Sequence, residues 1–136
     1  MSVFTHPRFL SYVMWADAAS CAGCGALQLV FTDRMAATTG LGAPLLAATG
    51  WFLIAYAVAA AFIASRQQPP RGLIAVVVLG NLAWAAGCAG LALSGIYQPS
   101  AAGWGWLGLQ AGTVLVLAEL QWTGLRRGPA GRIANA

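Results

Sequence analysis

Four long apolar runs constrain this chain more than anything else in it. They cover about 9–31, 43–65, 72–97 and 104–125, and each exceeds the roughly 20 residues that cross a hydrocarbon core at about 1.5 Å per residue. The runs are continuous and rich in Ala and Leu, without the period-two alternation of membrane strands. The reading is an all-α membrane protein: a bundle of four transmembrane helices in a single domain, residues 1–136. Composition agrees, since only 7% of residues are charged and 60% are apolar, against about 25% charged in soluble domains. So small a water-soluble fold has no means of hiding that apolar surface, whereas a lipid bilayer accepts it.

The breaks between runs carry turn and stop signals. Thr32-Asp33-Arg34 follows the first run, and Gly40-Leu41-Gly42-Ala43-Pro44 opens the second, with Pro44 suited to a first helical turn. Arg66 to Arg71 forms a polar hairpin containing Pro69-Pro70, and Gln98-Pro99-Ser100 with Gly103 separates the last two runs. Gly128-Pro129 ends the fourth helix and leaves residues 128–136 as a cytoplasmic tail. Ala18-Ala19-Ser20-Cys21 has a faint likeness to a lipoprotein processing site, but Asp17 interrupts the apolar stretch, so the first run is read as a retained span.

Arginine placement sets the expected orientation. There is no Lys; Arg8, Arg66, Arg71, Arg126, Arg127 and Arg132 share one side of the membrane and only Arg34 lies on the other. The positive-inside rule then places both termini in the cytoplasm, and the expected location is a bacterial inner membrane. The basic excess is read as topology signal and lipid-headgroup contact, not as a nucleic-acid surface. Trp104 and Trp106 at one end of the fourth run, and Trp122 at the other, suit interfacial belts.

Polar residues inside the runs are the informative ones, because a charged side chain at a helix centre costs about 2.5–3.5 kcal/mol on insertion scales. Asp17, Tyr56, Asn81 and Glu119 all fall roughly 10–15 Å from the cytoplasmic ends of their runs. They predict one polar layer with a member from every helix. It serves either as structural glue between helices, at about 0.6 kcal/mol per contact, or as a proton or cation site built on Asp17 and Glu119. No Arg lies at that depth to neutralise the acids.

Helical spacing groups further residues. Asp17, Cys21, Cys24 and Gln28 share a face of the first helix, and Asn81, Trp84 and Cys88 a face of the third. The fourth helix is two-faced, with Gln110, Thr113 and Gln121 on one side and Gly108, Gly112 and Glu119 on another. The glycines permit close helix approach, so one face is open to a homo-oligomer or a larger membrane complex. The three cysteines read first as small buried hydrophobes. Cys24 and Cys88, at similar depth, form a candidate redox pair, although Cys21 and Cys24 lack the turn that activates thioredoxin-type motifs.

The sole histidine, His6, lies outside the runs, which excludes bis-His haem ligation and His-based nucleophilic catalysis within the membrane. No HExxH, P-loop or dinucleotide fingerprint is present. The reading is non-enzymatic, with no cofactor, no metal and no nucleic-acid partner.

Several short motifs along the chain resemble a family of uncharacterised four-span bacterial integral membrane proteins. They are Trp15-Ala16-Asp17-Ala18, Gly80-Asn81 with Trp84, Ser94-Gly95 with Pro99, Gln110-Ala111, and Ala118-Glu119-Leu120 with Gly124-Leu125-Arg126-Arg127. The Cys21/Cys24 pair departs from the pattern. The resemblance implies a four-helix membrane fold and no particular activity. Three functions are expected in order: an accessory or structural membrane component, a small transporter or proton-coupled carrier using Asp17 and Glu119, and a thiol-based membrane redox sensor.

Overall fold

The computed structural model describes residues 6–127. Those residues form five helices: α1 (Phe9–Val30), α2 (Thr32–Thr39), α3 (Ala43–Ala64), α4 (Arg71–Leu93) and α5 (Ala101–Arg127). Four of them, α1, α3, α4 and α5, are long and apolar enough to cross a membrane, which fits a multi-pass membrane protein. The expected 128–136 tail lies outside the described residues.

Three boundaries differ from the sequence reading, each for a local reason. Thr32-Asp33-Arg34 is not a simple break but the start of α2. The backbone bends at Phe31 and restarts, and the Thr32 hydroxyl donates to the Gln28 carbonyl at 2.6 Å across the bend. The third run stops at Leu93, not near Tyr97, because Gly95 takes a left-handed φ of 72° that ends helical geometry. Finally, α5 begins at Ala101, three residues before the expected Trp104: the Ser100 hydroxyl accepts the Gly103 N–H at 3.2 Å, so Ser100 serves as its N-cap.

Short connections fold the chain as two antiparallel hairpins. α1 packs along α3, α4 packs along α5, and the hairpins meet mainly through α1 and α5. The α3 and α4 backbones, although consecutive in sequence, barely approach one another. At the arginine-poor end α2 packs against α1, α3 and α5. Ser100 clamps it there: its hydroxyl and its N–H donate to the Thr38 and Thr39 carbonyls, two of the orphan acceptors at a helix C-terminus. At the other end an Arg71 guanidinium nitrogen donates to the Leu125 carbonyl, tying the start of α4 to the end of α5.

Among the described residues four apolar clusters fill the bundle, and two of them are the largest. Met14, Ala60, Ile74 and Ala118 belong to the one toward the arginine-rich end, and Leu41, Leu46, Cys88 and Leu107 to the one beneath α2. Gly25 of α1 and Gly50 of α3 bring two of the long helices close together. A Cβ at Gly25 would lie 2.9 Å from the Gly50 carbonyl oxygen, so the backbones are nearly in contact. Gly25→Leu should therefore force the first hairpin apart, at an overpacking cost of about 1–3 kcal/mol. A lowered unfolding midpoint in a denaturant titration of detergent-solubilised protein checks it, with Gly23→Leu as control, because a Cβ there meets nothing within 4 Å.

Candidate functional site

The buried polar groups converge on one carboxylate. Asp17 lies in mid-α1 with no exposed surface. Its Oδ2 accepts from the Tyr56 hydroxyl of α3 at 3.0 Å, from Asn81 Nδ2 of α4 at 3.0 Å, and from Gln121 Nε2 of α5 at 2.8 Å. Its Oδ1 faces the Cys21 thiol at 3.6 Å, one turn along α1. The donors also hold one another: Asn81 Nδ2 reaches Gln121 Oε1 at 3.2 Å, and Gln121 Nε2 lies 3.5 Å from the Met14 sulfur. A carboxylate offers only acceptors and each of these groups offers a donor, so the network needs no cation to satisfy it.

The layer with one member from each long helix thus exists, but its fourth member differs from the sequence expectation. Glu119 is exposed on the outside of the bundle and Gln121 occupies its place. Two residues separate them, which is about 200° of helical rotation, so only one of the pair can face inward. The signal for Gln121 was its spacing from Gln110: eleven residues, just over three full turns, put both amides on one face. Both are buried, whereas Gly108, Gly112 and Glu119 are exposed on the opposite side of α5. Among the described residues the Glu119 side chain makes no hydrogen bond or ion pair.

A second polar level lies toward α2. Gln28, eleven residues after Asp17 and so about 16 Å along α1, accepts the Thr49 hydroxyl through Oε1 at 2.7 Å. Across the bundle the Trp84 indole donates to Gln110 Oε1 at 3.3 Å. This level was missed because Gln, Thr and Trp cost less than acids in apolar helices and so stand out less. Trp106 also departs from expectation. Trp104 and Trp122 are about half exposed, as an interfacial belt requires, but Trp106 turns inward to a cavity.

That cavity, about 590 Å³, occupies the gap between α3 and α4 and runs between the two polar levels. Phe52 and Trp84 stack across it with ring centroids 5.5 Å apart, Tyr56 and Asn81 border it at the Asp17 level, and Gly80 and Gly87 give α4 a bare flank along it. The volume falls inside the roughly 300–1,000 Å³ range of small-molecule sites.

All three cysteines are free thiols. Cys24 packs with Cys21, Leu53 and Ala57, whereas Cys88 sits in the cluster beneath α2, so the two candidate redox thiols belong to different apolar clusters. Among the described residues no group of three or more His, Cys, Asp or Glu side chains is placed to hold a metal ion. Comparison with protein-family models, curated proteins and solved structures finds no match to this chain.

The network generates a graded expectation. Tyr56→Phe removes one donor and should cost about 0.6 kcal/mol, the average for an interhelical hydrogen bond in a membrane protein. Asp17→Ala removes the acceptor that Tyr56, Asn81 and Gln121 share, three interhelical bonds at once, for a loss of about 2 kcal/mol or more. Glu119→Gln should fall within about 0.5 kcal/mol of the parent. Unfolding free energies in one detergent, measured side by side, check the order.

Proposed function

We propose that this chain is a non-enzymatic accessory or structural component of the bacterial inner membrane, with both termini cytoplasmic, working within a homo-oligomer or a larger membrane complex. The observation that carries this reading is the outer face of α5. Glu119 stands there without a partner among the described residues, about two turns beyond Gly112, in a helix long and apolar enough to span a membrane. A Cβ at Gly105, Gly108 or Gly112 would meet nothing within 4 Å, so a second helix can come close along this stripe. A carboxylate facing hydrocarbon is costly, and a partner that offers a donor relieves that cost. Arg8, Arg66, Arg71, Arg126 and Arg127 beside one end of the bundle, against Arg34 at the other, support the cytoplasmic placement of the termini.

The core argues for the same assignment. Asp17 is wrapped by donors from within the chain, which suits a role in fixing helix register. A carrier using Asp17 together with Glu119 would need them on one path, and Glu119 faces away from the network. A redox sensor using Cys24 and Cys88 would need those thiols to meet, and they pack in separate clusters.

A photo-crosslinking residue at Val116, exposed on the Glu119 face, should yield a protein adduct in native membranes at twice the monomer mass or above. The same group at Phe62, exposed on α3, should not. Glu119→Leu should weaken the Val116 adduct several-fold. Adducts with lipid alone at both positions would overturn the oligomer or complex reading.

A further inference from the structure

The end of the α3/α4 cavity nearest α2 holds hydrogen-bond donors that the protein leaves unspent. Among the described residues, Trp106 Nε1 is the one buried side-chain nitrogen or oxygen without a hydrogen-bond partner, and Trp106 lines the cavity. Gln110, one turn further along α5, also lines it. Trp84 can only donate, so the Gln110 oxygen must face Trp84 and its amide nitrogen is turned away. No hydrogen bond among the described residues uses that nitrogen. A buried donor without an acceptor costs about 1–3 kcal/mol, so the Trp106 indole N–H at the edge of an apolar cavity calls for a ligand oxygen, with the less buried Gln110 amide nitrogen one turn away.

Three features narrow the ligand. First, among the described residues no cationic side chain lines the cavity, so a neutral acceptor fits better than a phosphate or a carboxylate. Second, depth selects the kind of oxygen. The 27 residues of α5 extend about 40 Å, roughly the full bilayer with its headgroup regions, while the hydrocarbon core takes about 30 Å of that. The hydrocarbon boundary then lies about 5 Å inside each helix end, and Trp106 stands about 8 Å from the start of α5. That is the level of the ester carbonyls of membrane lipids. Third, the cavity runs about 22 Å from there to the Asp17 level along the bare flank of Gly80 and Gly87, and α3 and α4 leave it a side entrance from the membrane.

We propose that this cavity is a lipid site that takes one ester-linked acyl chain, whose carbonyl oxygen accepts from the Trp106 indole N–H and whose hydrocarbon lies along Gly87 and Gly80. The site rests on the membrane-spanning reading and is independent of any partner on α5. The chemistry it recognises, a neutral ester on a long hydrocarbon, is shared by bilayer glycerolipids and by free fatty esters.

The test uses the full chain in nanodiscs holding equal amounts of a diester phosphatidylcholine and its diether analogue, which lacks the carbonyls, with retained lipid counted by native mass spectrometry. The parent protein should retain the ester form about three- to tenfold over the ether form, the discrimination of one net hydrogen bond. Trp106→Phe should bring that ratio close to one. Gly87→Leu, which adds bulk where a Cβ meets nothing within 4 Å, should abolish retention of both lipids while leaving the circular dichroism spectrum unchanged. If Gly87→Leu fails to fold, the Trp106→Phe ratio decides alone. Added methyl oleate separates the two sources: displacement of the phospholipid assigns the site to a free ester, and persistence assigns it to the bilayer lipid. Equal retention of ester and ether lipid by the parent, a ratio unmoved by Trp106→Phe, or an undiminished adduct in folded Gly87→Leu would each overturn the proposal.

Discussion

A lone carboxylate in an apolar bundle must be answered from all sides, and in this protein the answer organises the fold. Asp17 takes one donor from each of the other three long helices on a single oxygen. No two of the donors sit on the same helix, so the three bonds together fix the rotation and axial position of α3, α4 and α5 relative to α1. Apolar packing alone specifies register weakly, because Ala, Leu and Val surfaces tolerate small slides. A carboxylate that loses a donor whenever one of those helices slips by a residue does not. The apolar clusters supply most of the contact area, and the polar level decides which arrangement of that area is adopted.

Bonding is uneven around the bundle. Gly25 and Gly50 bring α1 and α3 nearly into backbone contact, and α4 lies along α5 for most of its length. Between α3 and α4 there is space instead, bridged by the Phe52–Trp84 stack and bounded by polar groups at two depths. The same chain therefore has a rigid seam on one side and an accessible interior on the other. The polar groups at the accessible side differ in kind. At the Asp17 level every donor has a protein acceptor, whereas near α2 the Trp106 indole and the Gln110 amide nitrogen have none.

Most of this architecture was legible in the sequence. Hydropathy located the four long helices to within a few residues, because a run of more than twenty apolar side chains has few alternatives to a spanning helix. It failed where local backbone chemistry rules: the bend at Phe31, the left-handed Gly95 and the Ser100 cap each moved a boundary by a few residues, and α2 was too short and too polar for hydropathy to register. Depth arithmetic gathered Asp17, Tyr56 and Asn81 into one level, and in the structure Tyr56 and Asn81 both hydrogen-bond to Asp17. It chose Glu119 over Gln121 because formal charge was weighted above helical phase, and phase decides which side chain faces the core. The cavity was not legible at all, since it depends on α3 and α4 standing apart, a property of tertiary packing to which no residue in either helix points.

The pairing of helices into two hairpins also has a consequence in time. Synthesis runs from the N-terminus, so α1 and α3 exist before α4 and α5 have left the ribosome. In that interval Asp17 has the Tyr56 hydroxyl and its own Cys21 thiol, while Asn81 and Gln121 are still to come. The half-made protein carries an acid that is only partly answered, and arrival of the second hairpin completes it. The carboxylate that holds the finished bundle together is thus also the group that makes its first half incomplete, and it gives the nascent chain a strong reason to recruit its own second half before anything else in the membrane does.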